Sequence, residues 1–590
     1  MHRGLLLSAV VGAGWCARAE PASPVALESV DGMVVSAQHL ASAIGAAVLS
    51  DGGNAIDAAV AMGYALAVTH PCCGNLGGGG FMVAHLAGGR DTFINFREKA
   101  PLAASRRMFL DSRGNPIANK SIDGYLAAGV PGTVMGLERA REEYGTRTRA
   151  ELMAPAIELA EEGFVLTRGD TDVLDGARAA LSSQANVAAI FLHDGMPLQP
   201  GDRLIQRDLA ATLQTIRDGG VQSFYQGPIA AAVAQASAAH GGLLSAADFA
   251  AYTVTEEPPV RCSYRGYVVL SAPPPSSGGV ALCEMLRIVE GYPMSTFGFH
   301  SSRSVHYMTE AMRYAYRDRN RYLGDPAFVD NPVARLTSAA HAAGIRSHVA
   351  ANRATSSTAL GAEGGAQSAE GATTTHFSIV DHWGNAVAVT YTINDDFGAK
   401  VIAGSSGFFL NDEMDDFTAK PGVPNLFGLV QGRANSIAPG KRPLSSMTPT
   451  IVLHGGKPVL VLGTPGGSRI ITTVFEILVD VIDHGLNLQE AVDAPRFHNQ
   501  WWPDTLAAEP FALSADTTAA LLHMGYKIVP LPVWGTGNAA EAVGIAPADV
   551  PLSKALGFPR AGLFYGVSDP RAPAGGASAP VIRAPPDPGI

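Results

Sequence analysis

Two strand-length runs, residues 374–381 and 386–394, flank His382-Trp383-Gly384-Asn385, and this pair constrains the chain more than any other segment. β-Branched and apolar residues dominate both runs and a Gly-Asn turn separates them, so the segment reads as a β-hairpin. With His382 to Asn385 as the loop, Asp381 faces Ala386 and Thr374 faces Ile393, flanked by Thr392 and Asn394. Side chains two apart share a strand face, which groups Thr390, Thr392 and Asn394 near the start of the first strand.

The hairpin opens on three threonines, Thr373 to Thr375. β-Propensity alone accounts for threonine at a strand start. The preceding residues 353–372, RATSSTALGAEGGAQSAEGA, are small, polar and glycine-rich, and read as a flexible segment running into the strand. A threonine hydroxyl is a weak nucleophile unless a base stands beside it, and an N-terminal threonine carries one in its α-amine, of pKa about 8. An internal threonine lacks that amine, so chemistry here requires the chain to be cut just before the nucleophile. A loose segment leading into a fixed strand suits self-cleavage.

Composition narrows the function classes. Apolar content of 47% and charged content of 16% indicate a globular protein with a large core. A net charge of −11, without a block of consecutive lysines or arginines, argues against nucleic acid or an anionic membrane and favours a small-molecule substrate. Residues 1–19 carry Arg3, an apolar run from Leu5 to Trp15, and Ala17 and Ala19 framing an A-x-A site, the pattern of a secretory signal. The run is shorter than the roughly 18 residues a membrane span needs. Beyond it stand Cys72, Cys73, Cys262 and Cys283, which permit several disulfide pairings or none and match no zinc spacing.

Residues 37–69 show helical spacing on both sides of Asp51-Gly52-Gly53-Asn54, predicting two helices on a sheet with Asn54 capping the second. Gly77 to Gly80 precede a strand rather than a helix, which favours close backbone packing over a phosphate loop. Residues 457–463 alternate into a strand, Thr464 to Ser468 turn, and residues 469–484 read as a helix. Backbone N–H groups at the Gly466-Gly467 turn can receive an oxyanion, although a plain helix start looks the same. Ser445 and Ser446 offer paired hydroxyls, and Asp412, Glu413, Asp415 and Asp416 cluster acids without the alternation of a calcium loop. Residues 572–590, rich in proline, alanine and glycine, read as a disordered tail.

Taken together, Thr374-Thr375-His376-Phe377-Ser378, Gly384 to Thr390, Met414-Asp415-Asp416-Phe417, Lys441 to Met447 and Pro465 to Ile470 resemble the γ-glutamyltranspeptidase family in order and spacing. So do Asn75 to Phe81, Phe96-Arg97-Glu98, Pro273 to Val280 and Ser568 to Arg571. The resemblance implies an α+β protein with the four-layer αββα sandwich of N-terminal-nucleophile hydrolases. It implies autocleavage into a large subunit, residues 20–373, and a small subunit, residues 374–571, that stay together as a heterodimer. Thr374 becomes the nucleophile, Thr392 assists it, and Gly466 and Gly467 supply the oxyanion N–H groups. Arg97, Ser445 and Ser446 hold the α-carboxylate of a γ-glutamyl donor such as glutathione; Asn394, Glu413 and Asp416 hold its α-ammonium. Water or an amino-acid or dipeptide amine accepts the acyl group, no metal or organic cofactor is required, and the location implied is secreted, in the periplasm. Thr375 and His376 are read as structural.

The chain departs from the family pattern in places. KPGVPNLFGLVQG, residues 420–432, resembles the lid loop of bacterial members but has Phe427 where their tyrosine stands. Glu413 replaces a glutamine of some members, and residues 546–559 look inserted. The competing readings are a cephalosporin or glutaryl acylase of the same fold, and an uncleaved secreted binding protein.

Overall fold

The hairpin's side chains alternate between two faces, and both faces are covered. A computed structural model of the chain describes residues 23–361, 374–531, 539–546 and 557–582. Thr375–Asp381 and Ala386–Thr392 lie in the middle of a seven-stranded sheet ordered Gly576–Ser578, Gly32–Ser36, Thr375–Asp381, Ala386–Thr392, Gly79–His85, Asp91–Asn95, Thr255–Glu257. A second seven-stranded sheet runs Leu27–Ser29, Leu563–Ser568, Glu541–Ala546, Lys457–Gly463, Thr450–His454, Tyr267–Ser271, Val260–Tyr264. Every pairing in both is antiparallel.

The sheets face each other across Met33, Val35, Phe81, Ile451, Val461 and Val543. On its other face the first sheet presents Phe377, Ile379, Val387, Val389 and Tyr391 to the wholly buried helix Ala55–Thr69. Helices Gly278–Val289, Ser302–Tyr322 and Arg469–Ile482 cover the second sheet. The layers are helix, sheet, sheet, helix, the αββα sandwich of an α+β fold. Burial on both faces explains why the hairpin strands read as nearly continuous apolar runs.

Local signals behave as their chemistry requires. The Asn54 side chain accepts from the N–H groups of Ile56 and Asp57, and Asp57 accepts from the Asn54 N–H, closing a capping box. A Cβ on Gly77 or Gly78 would come within 2.0 Å of the carbonyl oxygens of Phe409 and Thr392, so the glycine run serves close packing. Cys72 is bonded to Cys73, and Cys262 to Cys283.

Three expectations are corrected. The hairpin register moves by one residue: Val380 pairs with Ala386 and Thr375 with Tyr391, because Gly384 adopts a left-handed φ of 93° and lets Asp381 pair with Asn385. The loop therefore holds one residue fewer, and Thr374 stands across from Thr392 rather than Ile393. The flexible segment does not begin at Arg353. Ala354 N–H donates to the Met524 carbonyl at 2.8 Å, and Ser357 is buried, its N–H on Asp504 at 3.0 Å. The tail does not begin at Ala572 either. Gly576–Ser578 pairs with Gly32–Ser36, and Ser42 Oγ donates to the Gly576 carbonyl at 2.7 Å. Small residues free of proline cover what would otherwise be an open sheet edge. The signal segment 1–19, the stretch 362–373 with Thr373, most of the 546–559 insertion and residues 583–590 lie outside the described residues. Among the described residues no helix is long and apolar enough to cross a membrane.

Candidate active site

Thr374 immediately precedes the first hairpin strand, so the ladder directs its side chain between the sheets, on the face shared by His376 and Ser378. Its Oγ1 lies 3.2 Å from Thr392 Oγ1, which also accepts the Asn394 N–H at 2.9 Å. One step along the same face, His376 Nδ1 is 2.8 Å from Thr390 Oγ1 and Nε2 is 3.0 Å from Ser378 Oγ. Burial pushes the His376 pKa down to about 3, so the ring is a neutral packing element. Thr374 borders a cleft of about 910 Å³ shared with Asp395, Asp396, Lys400, Pro465 and Ala539.

Pro465 leads into the glycine turn. Gly466 and Gly467 have φ of 126° and 56°, backbone that a side chain resists, and they join the strand Lys457–Gly463 to the helix Arg469–Ile482. A Cβ on Gly467 would meet the Phe427 ring at 2.3 Å. Phe427 is buried, its N–H on Asn425 Oδ1 at 3.1 Å and its carbonyl accepting from Gln500 Nε2 at 3.1 Å. The loop carrying Phe427 is thus seated on the Gly466-Gly467 turn.

Arg97 follows the strand Asp91–Asn95 and is fully buried. Its guanidinium pairs with Glu413 through Nη1 and with Asp416 through Nη2, lies 3.4 Å from Glu98 Oε2, and donates through Nε to the Pro443 carbonyl at 3.3 Å. Three carboxylates surround one cation. Burial opposes the charge on Arg97, but Glu413, Glu98 and Asp416 outweigh it and hold its pKa above the usual arginine range. Burial likewise pushes Glu98 up to about 7 against the pull of Arg97, and raises Glu413 and Asp416. Glu413 Oε2 is buried without a hydrogen-bond partner among the described residues.

Ser445 and Ser446 sit on the chain after Pro443. Ser445 Oγ accepts the Met447 N–H at 3.1 Å, and Ser446 Oγ accepts from Arg319 Nη2 at 3.0 Å. The Asn394 amide is directed to Asp412, with Nδ2 3.2 Å from both its carbonyl and Oδ2. The expected site residues thus form a threonine pair at the cleft, a glycine turn, and a cluster in which Arg97 is joined directly to Glu413 and Asp416. The last feature differs from the two separate polar ends inferred from sequence.

Sequence reasoning missed Arg319 and Gln431. Arg319 had a signal: it is a charge on the buried face of the amphipathic helix Ser302–Tyr322. Gln431 follows the largely apolar run Leu426 to Val430, where nothing local marks its side chain as turned toward the site.

A sequence model of the gamma-glutamyltranspeptidase family matches residues 41–579. The chain belongs to that family. A glutathione hydrolase proenzyme of Pseudomonas sp. strain A14 is 53% identical over 571 residues, covering 96% of this chain and 97% of the relative. That of Escherichia coli K12 is 46% identical over 566 residues, 94% of each. The crystal structure of a cephalosporin acylase from Bacillus halodurans matches with a TM-score of 0.81 at 25% identity, covering 96% of this chain and 99% of that one. All ten candidate site residues fall within the family match.

Proposed function

We propose that the chain is an exported glutathione hydrolase and γ-glutamyltransferase, made as a precursor and cut between Thr373 and Thr374 into two subunits that remain associated. The observation carrying this reading is Thr374 at the head of a central strand, on a cleft, with its hydroxyl 3.2 Å from that of Thr392. Once the cut frees the Thr374 α-amine, that amine takes the hydroxyl proton as Oγ1 attacks the γ-carbonyl of the donor. The tetrahedral oxygen is received by the N–H groups of Gly466 and Gly467. The C–N bond breaks, the leaving amine takes the proton, and a γ-glutamyl ester remains on Thr374. Water or an acceptor amine then attacks the ester and regenerates the hydroxyl. In the donor pocket, Arg97 with Ser445 and Ser446 meets the α-carboxylate, and Glu413 and Asp416 with Asn394 meet the α-ammonium. The residues supply the nucleophile, base and oxyanion donors without a metal or cofactor. The apolar run and A-x-A site within residues 1–19 support export to the periplasm. Incubating purified protein with glutathione tests the reading: glutamate should appear, and a dipeptide acceptor should divert part of it to a γ-glutamyl tripeptide. No glutamate from correctly cut protein would refute it.

The acidic cluster gives this reading a pH signature. Glu98, at about 7 in the free protein, shares a proton with its acidic neighbours. A bound ammonium favours their ionised forms and lowers that pKa, so donor binding releases a proton. Affinity should therefore rise with pH up to about 7 and level off above it. The expected result is a KM for a γ-glutamyl donor that falls between about pH 5.5 and 7 and then stays flat; a KM constant across that range would separate the cluster from the ammonium.

The lid bears on the second half-reaction. Phe427 covers Gly467 but brings no hydroxyl to latch the loop, and one neutral hydrogen bond contributes about 0.5–1.5 kcal/mol. Phe427→Tyr should change the ratio of transfer to hydrolysis several-fold while leaving maturation intact. An unchanged ratio over a series of acceptor concentrations would mean that packing alone holds the lid.

A further inference from the structure

Arg319 lies on the helix Ser302–Tyr322 with 1% of its surface exposed. Among the described residues its hydrogen-bond partners are all neutral. Nε donates to Ser277 Oγ at 2.9 Å, Nη1 to Asn320 Oδ1 at 2.8 Å and Gln431 Oε1 at 3.0 Å, and Nη2 to Ser446 Oγ at 3.0 Å. The nearby carboxylate whose charge it feels, Asp416, is already engaged by Arg97. A buried guanidinium held by neutral oxygens is costly unless an anion completes its surroundings. Burial pulls its pKa down to about 10, the sign expected of a cation without a dedicated counter-ion.

The placement of those bonds decides what the cation does. A serine hydroxyl has one proton and two lone pairs. Because Ser446 Oγ accepts from Arg319, its proton is turned away from the guanidinium and is free to donate. Ser445 is braced by the same group at one remove: Ser277 Oγ, which accepts from Arg319 Nε, donates to the Ser445 carbonyl at 2.6 Å. Gln431, which accepts from Nη1, donates to the Asp416 carbonyl at 3.0 Å. One side chain ties the serine pair to the acidic turn.

We infer that Arg319 is a positioning residue for the α-carboxylate of the donor, orienting Ser446 as a hydrogen-bond donor and placing a second positive charge behind it. The inference rests on the proposed carboxylate role of Arg97, Ser445 and Ser446. Lysine, with a single ammonium, cannot span the same set of oxygens.

The test compares γ-glutamyl-p-nitroanilide with 4-aminobutanoyl-p-nitroanilide, which lacks only the α-carboxylate. Arg319→Gln should raise KM for the first donor about 10-fold or more, the scale of a charge-assisted bond, with kcat within about threefold and the second donor unaffected. Combining it with Ser446→Ala should give less than the product of the single effects, since one acts through the other. Equal losses on both donors, no loss on the first, or strict additivity would overturn the inference. If Ser446→Ala alone harms both donors equally, the underlying assignment of the serines fails instead. Should Arg319→Gln not mature, Arg319→Lys is measured by the same criterion, and failure of both to mature would mark Arg319 as structural and overturn the proposal.

Discussion

Thr374→Ala is expected to yield a single uncut chain without measurable turnover, whereas purified wild type should show two chains, the smaller beginning Thr-Thr-His-Phe-Ser. The substitution removes the hydroxyl of the residue just ahead of the strand Thr375–Asp381, and with it both reactions assigned to that oxygen. In the proposed maturation, Thr374 Oγ1 attacks the Thr373 carbonyl, the peptide C–N bond breaks to free the Thr374 α-amine and leave an ester, and water hydrolyses that ester, releasing the Thr373 carboxylate and restoring the hydroxyl. In turnover the same oxygen attacks the donor. The loss should be at least about 10⁴-fold, the scale seen when a nucleophile is deleted. Folding should be little affected, since strand pairing runs from Thr375 onward and the Thr392 hydroxyl keeps its bond from the Asn394 N–H. Thr374→Ser, which keeps the hydroxyl, should still cut. A different N-terminus on the small chain, or an alanine variant that is cut and active, would remove Thr374 from its role.

Asp416→Asn should weaken transition-state binding of γ-glutamyl donors by about 2–3 kcal/mol, while a glutaryl donor without the ammonium suffers less. The argument starts from the free protein, where Asp416 and Glu413 both pair with Arg97. A zwitterionic donor presents a carboxylate to the cation and an ammonium to the acids, so each charge exchanges an internal partner for an external one. A glutaryl donor offers only the anion, drawing Arg97 toward itself while leaving buried acids without a counter-charge. That distinction favours γ-glutamyl transfer over the acylase reading despite the shared fold. Equal losses on both donor types would point to a folding defect or a misplaced assignment.

The hairpin, the helix pair around Asn54 and the strand-turn-helix at Gly466-Gly467 were legible because each is written in consecutive residues. The register was not, since a φ of 93° at Gly384 changes the loop by one residue and moves every pairing with it. The edge strand at Gly576–Ser578 was hidden for a different reason. Its composition is that of a tail, and only the open side of Gly32–Ser36 gives those residues a place to pair. The polar cluster was named almost completely through the ordered family motifs, but its wiring was not. Arg97 meets Glu413 and Asp416 across more than 300 residues of chain, a proximity no local pattern encodes.

The proposed cut before Thr374 would open the chain at the centre of the first sheet, and the topology argues that it would separate nothing. Gly32–Ser36, ahead of the cut, lies between Gly576–Ser578 and Thr375–Asp381, both beyond it. In the other sheet, Leu27–Ser29 at one edge and Tyr267–Ser271 near the opposite edge enclose four strands from the later part of the chain. The two products are shuffled together like cards from two hands, so neither owns a complete sheet. Parting them means tearing ladders in both sheets at once, and their separation should coincide with loss of the whole fold. Such an arrangement also orders events in time: the sandwich must assemble while the chain is continuous, and only then can the bond before Thr374 be spared.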